Sequence, residues 1–251
     1  MVNDMETTPA PTAKRGRGRP RKDSEFISLS KELLGQKALE IAGTEGYSAL
    51  TMHRLASELG VTPRALYNYV ADRGEVINLA MQQFMALSPT LDFDAEHWKD
   101  GVRDAYLATR AAYRSYPRAS LLSMDEKVHA VPGPRRTELV ERLLKFYVET
   151  GLTLKQATSM TRALERDVLG FVLHVDYFYD RRTSDSDYVL NHPVPKLWLD
   201  AYPEIPAPYA REALELPEQN SDELFDEVIE LRVLAIERLL ERNSETSVAE
   251  D

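Results

Sequence analysis

The sequence predicts an all-α protein: a small helical head followed by a larger helical body. Three observations predict it. Apolar residues recur at three- and four-residue spacing from Ser30 almost to the end of the 251-residue chain. No segment sustains the period-two alternation, rich in β-branched residues, that a strand requires. Gly and Pro punctuate the helical stretches at Gly46, Gly60, Pro89, Pro117, Pro132, Pro134 and Gly151. The chain divides into a basic arm (1–25), a head with a connector helix (26–87) and a helical body (88–251).

Residues 1–25 are rich in Thr, Pro, Gly and charge and hold almost no apolar side chains, which predicts disorder. Within them Lys14 to Lys22 reads KRGRGRPRK, six basic residues and no acid. Arg17-Gly18-Arg19-Pro20 resembles an AT-hook core. Gly lets a backbone sink into a narrow A·T minor groove, and Arg17 and Arg19 follow its negative potential. An unstructured basic tail that adds only salt-dependent attraction to phosphate explains the same residues equally well.

The first helix is expected from about Ser30 to Thr44, with Leu34, Ala38, Ile41 and Ala42 inward and Gly46 ending it. From Leu50 to Glu75 two short helical patterns flank Gly60. Thr51 is placed to cap the first, in which Met52, Leu55, Ala56 and Leu59 share a face. Thr62 is placed to cap the second, and Pro63 takes its first position, where no backbone donor is missed. Leu66 and Val70 point inward, leaving Arg64, Ala65 and Asn68 outward; Tyr67 and Tyr69 divide evenly between outer face and core. The pattern is a helix-turn-helix whose second helix can enter a DNA major groove. Arg64 is a candidate to read guanine bidentately, Asn68 to read adenine or hold a phosphate, and Thr62, Pro63 and Ala65 to supply small contacts. Asp72 and Glu75 form a capping box that opens the fourth helix, whose face Val76, Leu79, Ala80 and Phe84 leads toward the body.

In the body, helices are expected at about 95–115, 117–128, 134–150, 153–179, a short pair between 194 and 214, and 221–243. The 153–179 helix and the last helix (Asp222 to Arg242) are apolar over more than one face. The last one carries Leu224, Phe225, Val228, Ile229, Leu231, Leu234, Ile236, Leu239 and Leu240. A second apolar face predicts self-association into a two-fold dimer through two helices per subunit. A ligand cavity would be mostly apolar with a few polar anchors. The candidates are Trp98, Tyr106, Arg110, Tyr113, His129, Phe146, Tyr147, Arg166, Phe171, His174 and Tyr177, of which about a third should line it. Arg166 and Asp167 read as an ion pair.

Composition excludes several classes. There is no Cys, hence no disulfide frame, thiolate nucleophile or zinc finger. No run of about 18 apolar residues spans a membrane, and no apolar signal-peptide core follows the first Met, so a cytoplasmic protein is expected. The net charge of −10 hides a split: residues 1–87 hold 11 Lys/Arg against 10 Asp/Glu, and residues 88–251 hold 20 against 31. A locally basic head on an acidic body can meet DNA while the body stays clear of phosphate.

Thr51, Leu55-Ala56, Gly60-Val61, Leu66-Tyr67 and Arg73 together resemble the signature of the tetracycline-repressor (TetR) family of transcriptional regulators. More loosely, the body resembles its tetracycline-binding members at Trp98, at Lys127-Val128-His129 before a Gly-Pro turn, and at Gly151-Leu152-Thr153-Leu154. The resemblance implies that Tyr67 and Tyr69 meet phosphates or thymine methyls, that Arg73 clamps a phosphate, and that Thr51 contacts another. His53 stands where those members read a base with Arg. It further implies that His129 lies in the ligand site. His174 stands in place of a metal-completing Glu, Gly133-Pro134 in place of Arg-Pro, and Pro89, Ala105 and Thr109 at drug-contacting positions. A hard oxygen-loving ion has therefore lost its carboxylate, and two His without a third ligand make a weak metal site. No metal and no cofactor are expected. The expected function is a homodimeric repressor of a palindromic operator, released by a small-molecule effector. An architectural A·T-rich DNA binder using the basic arm is the alternative. An all-α enzyme finds no nucleophile–base pair or phosphate loop here.

Overall fold

The computed structural model describes residues 28–121, 134–181 and 194–250. Among them there is no strand. The helices are α1 (Lys31–Glu45), α2 (Met52–Glu58), α3 (Pro63–Leu66), α4 (Arg73–Ala86), α5 (Trp98–Ser115), α6 (Pro134–Glu149), α7 (Leu154–Phe171), α8 (Lys196–Ala201), α9 (Pro208–Ala213) and α10 (Ser221–Glu250). Arg17, Arg19 and His129 lie outside the described residues.

The head forms from local signals. The Ser30 hydroxyl accepts from the Leu33 amide at 3.2 Å and starts α1. Gly46, at φ 92°, ends it in a backbone state that a side chain would strain. Thr51 accepts from the Arg54 amide at 3.1 Å and starts α2. Gly60, at φ 66°, turns the chain toward α3. Leu34, Leu55, Leu59, Leu66, Val76 and Ile77 close a core between α1, α2, α3 and α4. Two caps differ from expectation. The Thr62 side chain makes no capping bond, because Pro63 leaves one fewer amide to satisfy and the Thr62 carbonyl takes the Ala65 amide instead. Asp72 accepts from Glu75 as expected, but Glu75 reaches back to the Ala71 amide (2.7 Å) rather than to the cap residue's own. Lys31 meets the same Glu75 at 2.6 Å and joins the first turns of α1 and α4.

The body packs α5, α6, α7 and α10 around Val102, Tyr106, Leu143, Phe146, Val168, Phe225 and Ile236. The helix expected at 95–115 begins at Trp98, since Asp94 holds the Glu96 amide in a turn before it. In place of an α-helix from 117, the described part is a 3₁₀ turn at Ala119–Leu121. The single helix expected over 153–179 is interrupted by a π-turn at Val172–Asp176 before Tyr177–Tyr179. A π-turn shifts the helical register of the residues after it, and Asp176 ends fully buried against α5. Two capping signals were not singled out in the sequence. Thr153 and Gln156 form a capping box on α7, and Asn220 and Glu223 exchange bonds at the start of α10.

Head and body meet through more than α4. The Tyr47 hydroxyl donates to the Ala119 carbonyl at 3.0 Å, and the Arg118 amide to the Gly43 carbonyl at 3.2 Å. Gly43 is required by this approach: a Cβ there would lie 2.6 Å from the Tyr116 ring. Phe84 of α4 stacks on Tyr113 of α5, centroids 5.4 Å apart.

Candidate nucleic-acid interface and ligand cavity

Helix α3 is one turn long and divided by side. Leu66 and Val70 are buried and fix it to the head core. Arg64 and Asn68 are exposed, Pro63 and Ala65 half-buried, and Tyr67 is 54 % exposed. Tyr69 is partly buried and packs on the head core, so the two tyrosines separate, Tyr67 outward and Tyr69 inward. Thr51, His53 and Thr62 are exposed beside them. Among the described residues Arg64 has no hydrogen-bond or ion-pair partner. Arg54, one position after His53, is committed to Glu45 (2.8 Å) and Glu58 (2.9 Å).

Arg73 differs from its expected role. Its guanidinium donates to the Leu50 carbonyl at 2.6 Å and to the Tyr47 carbonyl, holding the α1–α2 connection against α4. Both carbonyls lie in the connection that follows α1, where the Tyr47 carbonyl also accepts from the Leu50 amide at 3.1 Å.

The body residues chosen from sequence do not gather around one cavity. Tyr106, Phe146 and Tyr147 are 0 %, 2 % and 1 % exposed and form core. Burial pushes the Tyr106 and Tyr147 hydroxyls far above the ordinary phenol value, and Asp167 adds to it for Tyr106. Trp98 is half-buried with the Lys99 ammonium 5.7 Å from its ring. Phe171 lies edge-on to Phe225. Tyr177 is covered by the Arg181 guanidinium, 4.0 Å from its ring centre. His174 and Arg166 are exposed. Arg166 does not pair with Asp167, because adjacent residues on a helix do not face one another. Asp167 instead accepts from Arg232 at 2.7 Å and from the Tyr106 hydroxyl at 2.8 Å.

Arg110 is a buried tie rather than a ligand anchor. It pairs with Asp176 at 2.7 Å and with Asp222 at 2.8 Å, donates to the Ser221 carbonyl at 3.1 Å, and lies 4.6 Å from the Phe225 ring centre. Burial opposes its charge, yet the bonds to Asp176 and Asp222 leave the guanidinium above its usual value.

Of the chosen residues, Phe146 borders an outer groove beside Phe93 and Arg142, and Tyr113 lines a small cavity. This void, about 20 Å³, lies between α4, α5 and α6 and is walled by Phe84, Met85, Pro89, Thr109, Tyr113, Arg136 and Leu139. It shares Ser88, Pro89 and Leu139 with an outer hollow of about 220 Å³ rimmed by Arg135 and Arg142. The resemblance had pointed at Pro89 and Thr109; Phe84 and Arg136 carried no sequence signal that separates a cavity wall from core or surface.

The model of the tetR family of bacterial regulatory proteins matches residues 36–77, and the tetracyclin repressor-like C-terminal domain matches residues 92–237, more than half the chain. The chain belongs to the tetR family. It is 28 % identical over 163 residues to the HTH-type transcriptional repressor DrrR1 of Streptomyces coeruleorubidus, covering 64 % of this chain and 59 % of that one. It is 24 % identical over 147 residues to the class D tetracycline repressor protein of Escherichia coli, covering 58 % and 66 %. The matches thus span about three-fifths to two-thirds of those relatives' lengths. Among solved structures, apo ActR of Streptomyces coelicolor superposes with a TM-score of 0.60 at 22 % identity, over 87 % of this chain and 98 % of that one. TetR of Acinetobacter baumannii does so at 0.57 and 21 %, over 85 % and 99 %. These structural likenesses carry the fold. In this family member no helix of the described residues is long and apolar enough to cross a membrane.

Proposed function

We propose that this tetR-family chain is a DNA-binding transcriptional regulator: a homodimeric repressor that holds a palindromic operator and releases it when a small molecule occupies the body. The observation that carries the reading is α3. Its apolar side is buried while Arg64, Tyr67 and Asn68 stand together on its exposed side, the division a recognition helix needs. Arg64 reads a base edge, and Thr51, Thr62 and Tyr67 hold phosphates. The family matches cover head and body and leave residues 1–25 out, which gives the architectural alternative no support.

A dimer is favoured by surfaces a lone subunit leaves bare. Phe225, Ile229 and Ile236 bury one side of α10, while Leu224, Leu231 and Ala235 form a second stripe about a third of a turn away, beside Val228, which packs on the body core. Leu231 is 68 % exposed. The α8–α9 region adds Leu197, Trp198, Tyr202, Ile205 and Tyr209, all exposed. Apolar surface of this extent marks an interaction site. Two heads on a two-fold axis then meet successive major grooves about 34–36 Å apart. ActR has been crystallised with actinorhodin, and an effector for this chain is proposed by the same route. By linkage, the effector must prefer the DNA-incompetent arrangement.

Footprinting of the DNA flanking the chain's own gene tests the reading. A protected two-fold repeat is expected, with protein sedimenting as a dimer. Uniform affinity for all fragments, or a monomer at working concentration, overturns it.

A further inference from the structure

The small cavity between α4, α5 and α6 holds polar chemistry that the fold leaves unused. Thr109 on α5 is 6 % exposed and lines it. A helical threonine commonly gives its hydroxyl to the carbonyl four residues back, as Thr44, Thr150, Thr158 and Thr161 do in this chain. Among the described residues the Thr109 hydroxyl has no partner, nor has that of Tyr113 four residues on. Burial pushes the Tyr113 phenol up, so it stays a donor, and the charges of Arg136 and Glu165 both act on it. Among the described residues Arg136 pairs only with the half-exposed Glu165, at 2.8 Å. The remaining walls are apolar or aromatic except for Ser88.

We propose that this cavity binds a planar aromatic ligand bearing one anionic group, with its ring against Phe84 and Tyr113 and its anion on Arg136 and Thr109. The proposal rests on the reading of the body as the effector-binding part and names the effector's chemistry. The planar guanidinium fork of Arg136 suits a carboxylate, and the Thr109 hydroxyl on the same cavity wall is a further donor. The present void of about 20 Å³ has room for one water. A flat guest must therefore part the Phe84–Tyr113 stack from 5.4 Å to about 7–8 Å, two aromatic contacts of about 3.5–4 Å each. Phe84 lies in the last turn of α4, so entry displaces the helix that joins the head to the body. Occupancy and head position are thereby coupled through one ring.

The test uses the 251-residue chain with naphthalene-2-carboxylate and naphthalene-2-carboxamide as matched probes in titration calorimetry. The acid is expected to bind about tenfold or more tightly than the amide. Arg136→Gln should bring the acid to the amide's level and leave the amide unchanged; Thr109→Val should weaken the acid severalfold, with circular dichroism confirming that both variants fold. Equal affinity for the two probes, no binding of either up to millimolar concentration, or an acid preference that survives Arg136→Gln overturns the proposal. Operator binding is measured separately without probe. A chain that footprints DNA but ignores both probes loses only this inference, and one that binds the acid but no DNA loses only the regulator reading.

Discussion

The head and the body are both helical, but their interiors are held in different ways. The head core is made mostly of apolar side chains; its few interior polar groups are the Tyr47 hydroxyl, on Met81 and the Ala119 carbonyl, and the Asn78 side-chain oxygen, while Arg73 closes two carbonyls. The body runs ionic and hydroxyl ties through its interior: Arg110 with Asp176 and Ser221, and Arg232 with Asp167 and Tyr106. It also keeps a void with unpartnered hydroxyls. An apolar interior has little to gain from small rearrangements and suits the proposed role of the head, presenting one shape to DNA. A polar interior is exacting about its partners, and suits the proposed role of the body, responding to a ligand between its helices.

The largest test of that contrast is Asp176→Ala. It leaves the buried Arg110 guanidinium without its main partner, a defect that costs about 3–5 kcal/mol. Urea denaturation should show this loss, and Asp176→Asn should lose less because it keeps an acceptor. If Asp176→Ala costs under 1 kcal/mol, the ionic tie between α5, the π-turn after α7 and α10 does not hold the body together. The second test is Arg64→Ala. It should leave thermal stability unchanged and weaken operator binding by about 1–3 kcal/mol, with specificity relaxed at one base position. A uniform loss across all sequences would reassign Arg64 to phosphate.

The same contrast explains what could be read in the sequence. The head was legible because its determinants are local: Ser30, Thr51, Gly60 and Asp72 act within a few residues of themselves, and Leu34, Leu55 and Leu66 fall on helical periods. What stayed open there, Tyr67 against Tyr69, depends on how α3 lies against the rest of the head, which no local pattern encodes. In the body Arg110 finds Asp176 across 66 residues and Ser221 across 111. The pairing with the adjacent residue assumed for Asp167 therefore gave way to one with Arg232, 65 residues away. The π-turn has no composition of its own. Residue type does not separate a ring that fills a core from one that lines a void: Tyr106 and Tyr147 fill, and Tyr113 lines.

Capping threonines give a third, smaller test with a built-in control. Thr51→Ala in the head and Thr153→Ala in the body should each cost about 1 kcal/mol of stability, since each accepts from an amide at the start of its helix. Only Thr51→Ala should also weaken operator binding, because its exposed hydroxyl lies on the proposed DNA face. Equal operator affinity for both variants would remove Thr51 from that face.

The smallest effect concerns pH. Arg114 hydrogen-bonds Asp180 and holds its carboxyl below the ordinary range. A carboxyl depressed by folding adds stability above its unfolded value, near 3.9, and that stability fades as pH falls through the lower folded value. The pair is about a third exposed on each side, so its worth at neutral pH should stay below about 1 kcal/mol. Asp180→Asn should therefore be slightly less stable than the parent at pH 7, and the gap should narrow at acid pH, below about 3.9. The narrowing separates an ionic tie from packing, because a lost contact of shape alone would persist at every pH. If the gap between parent and variant is the same at neutral and at acid pH, this rim of the body's ionic network contributes by fit rather than by charge.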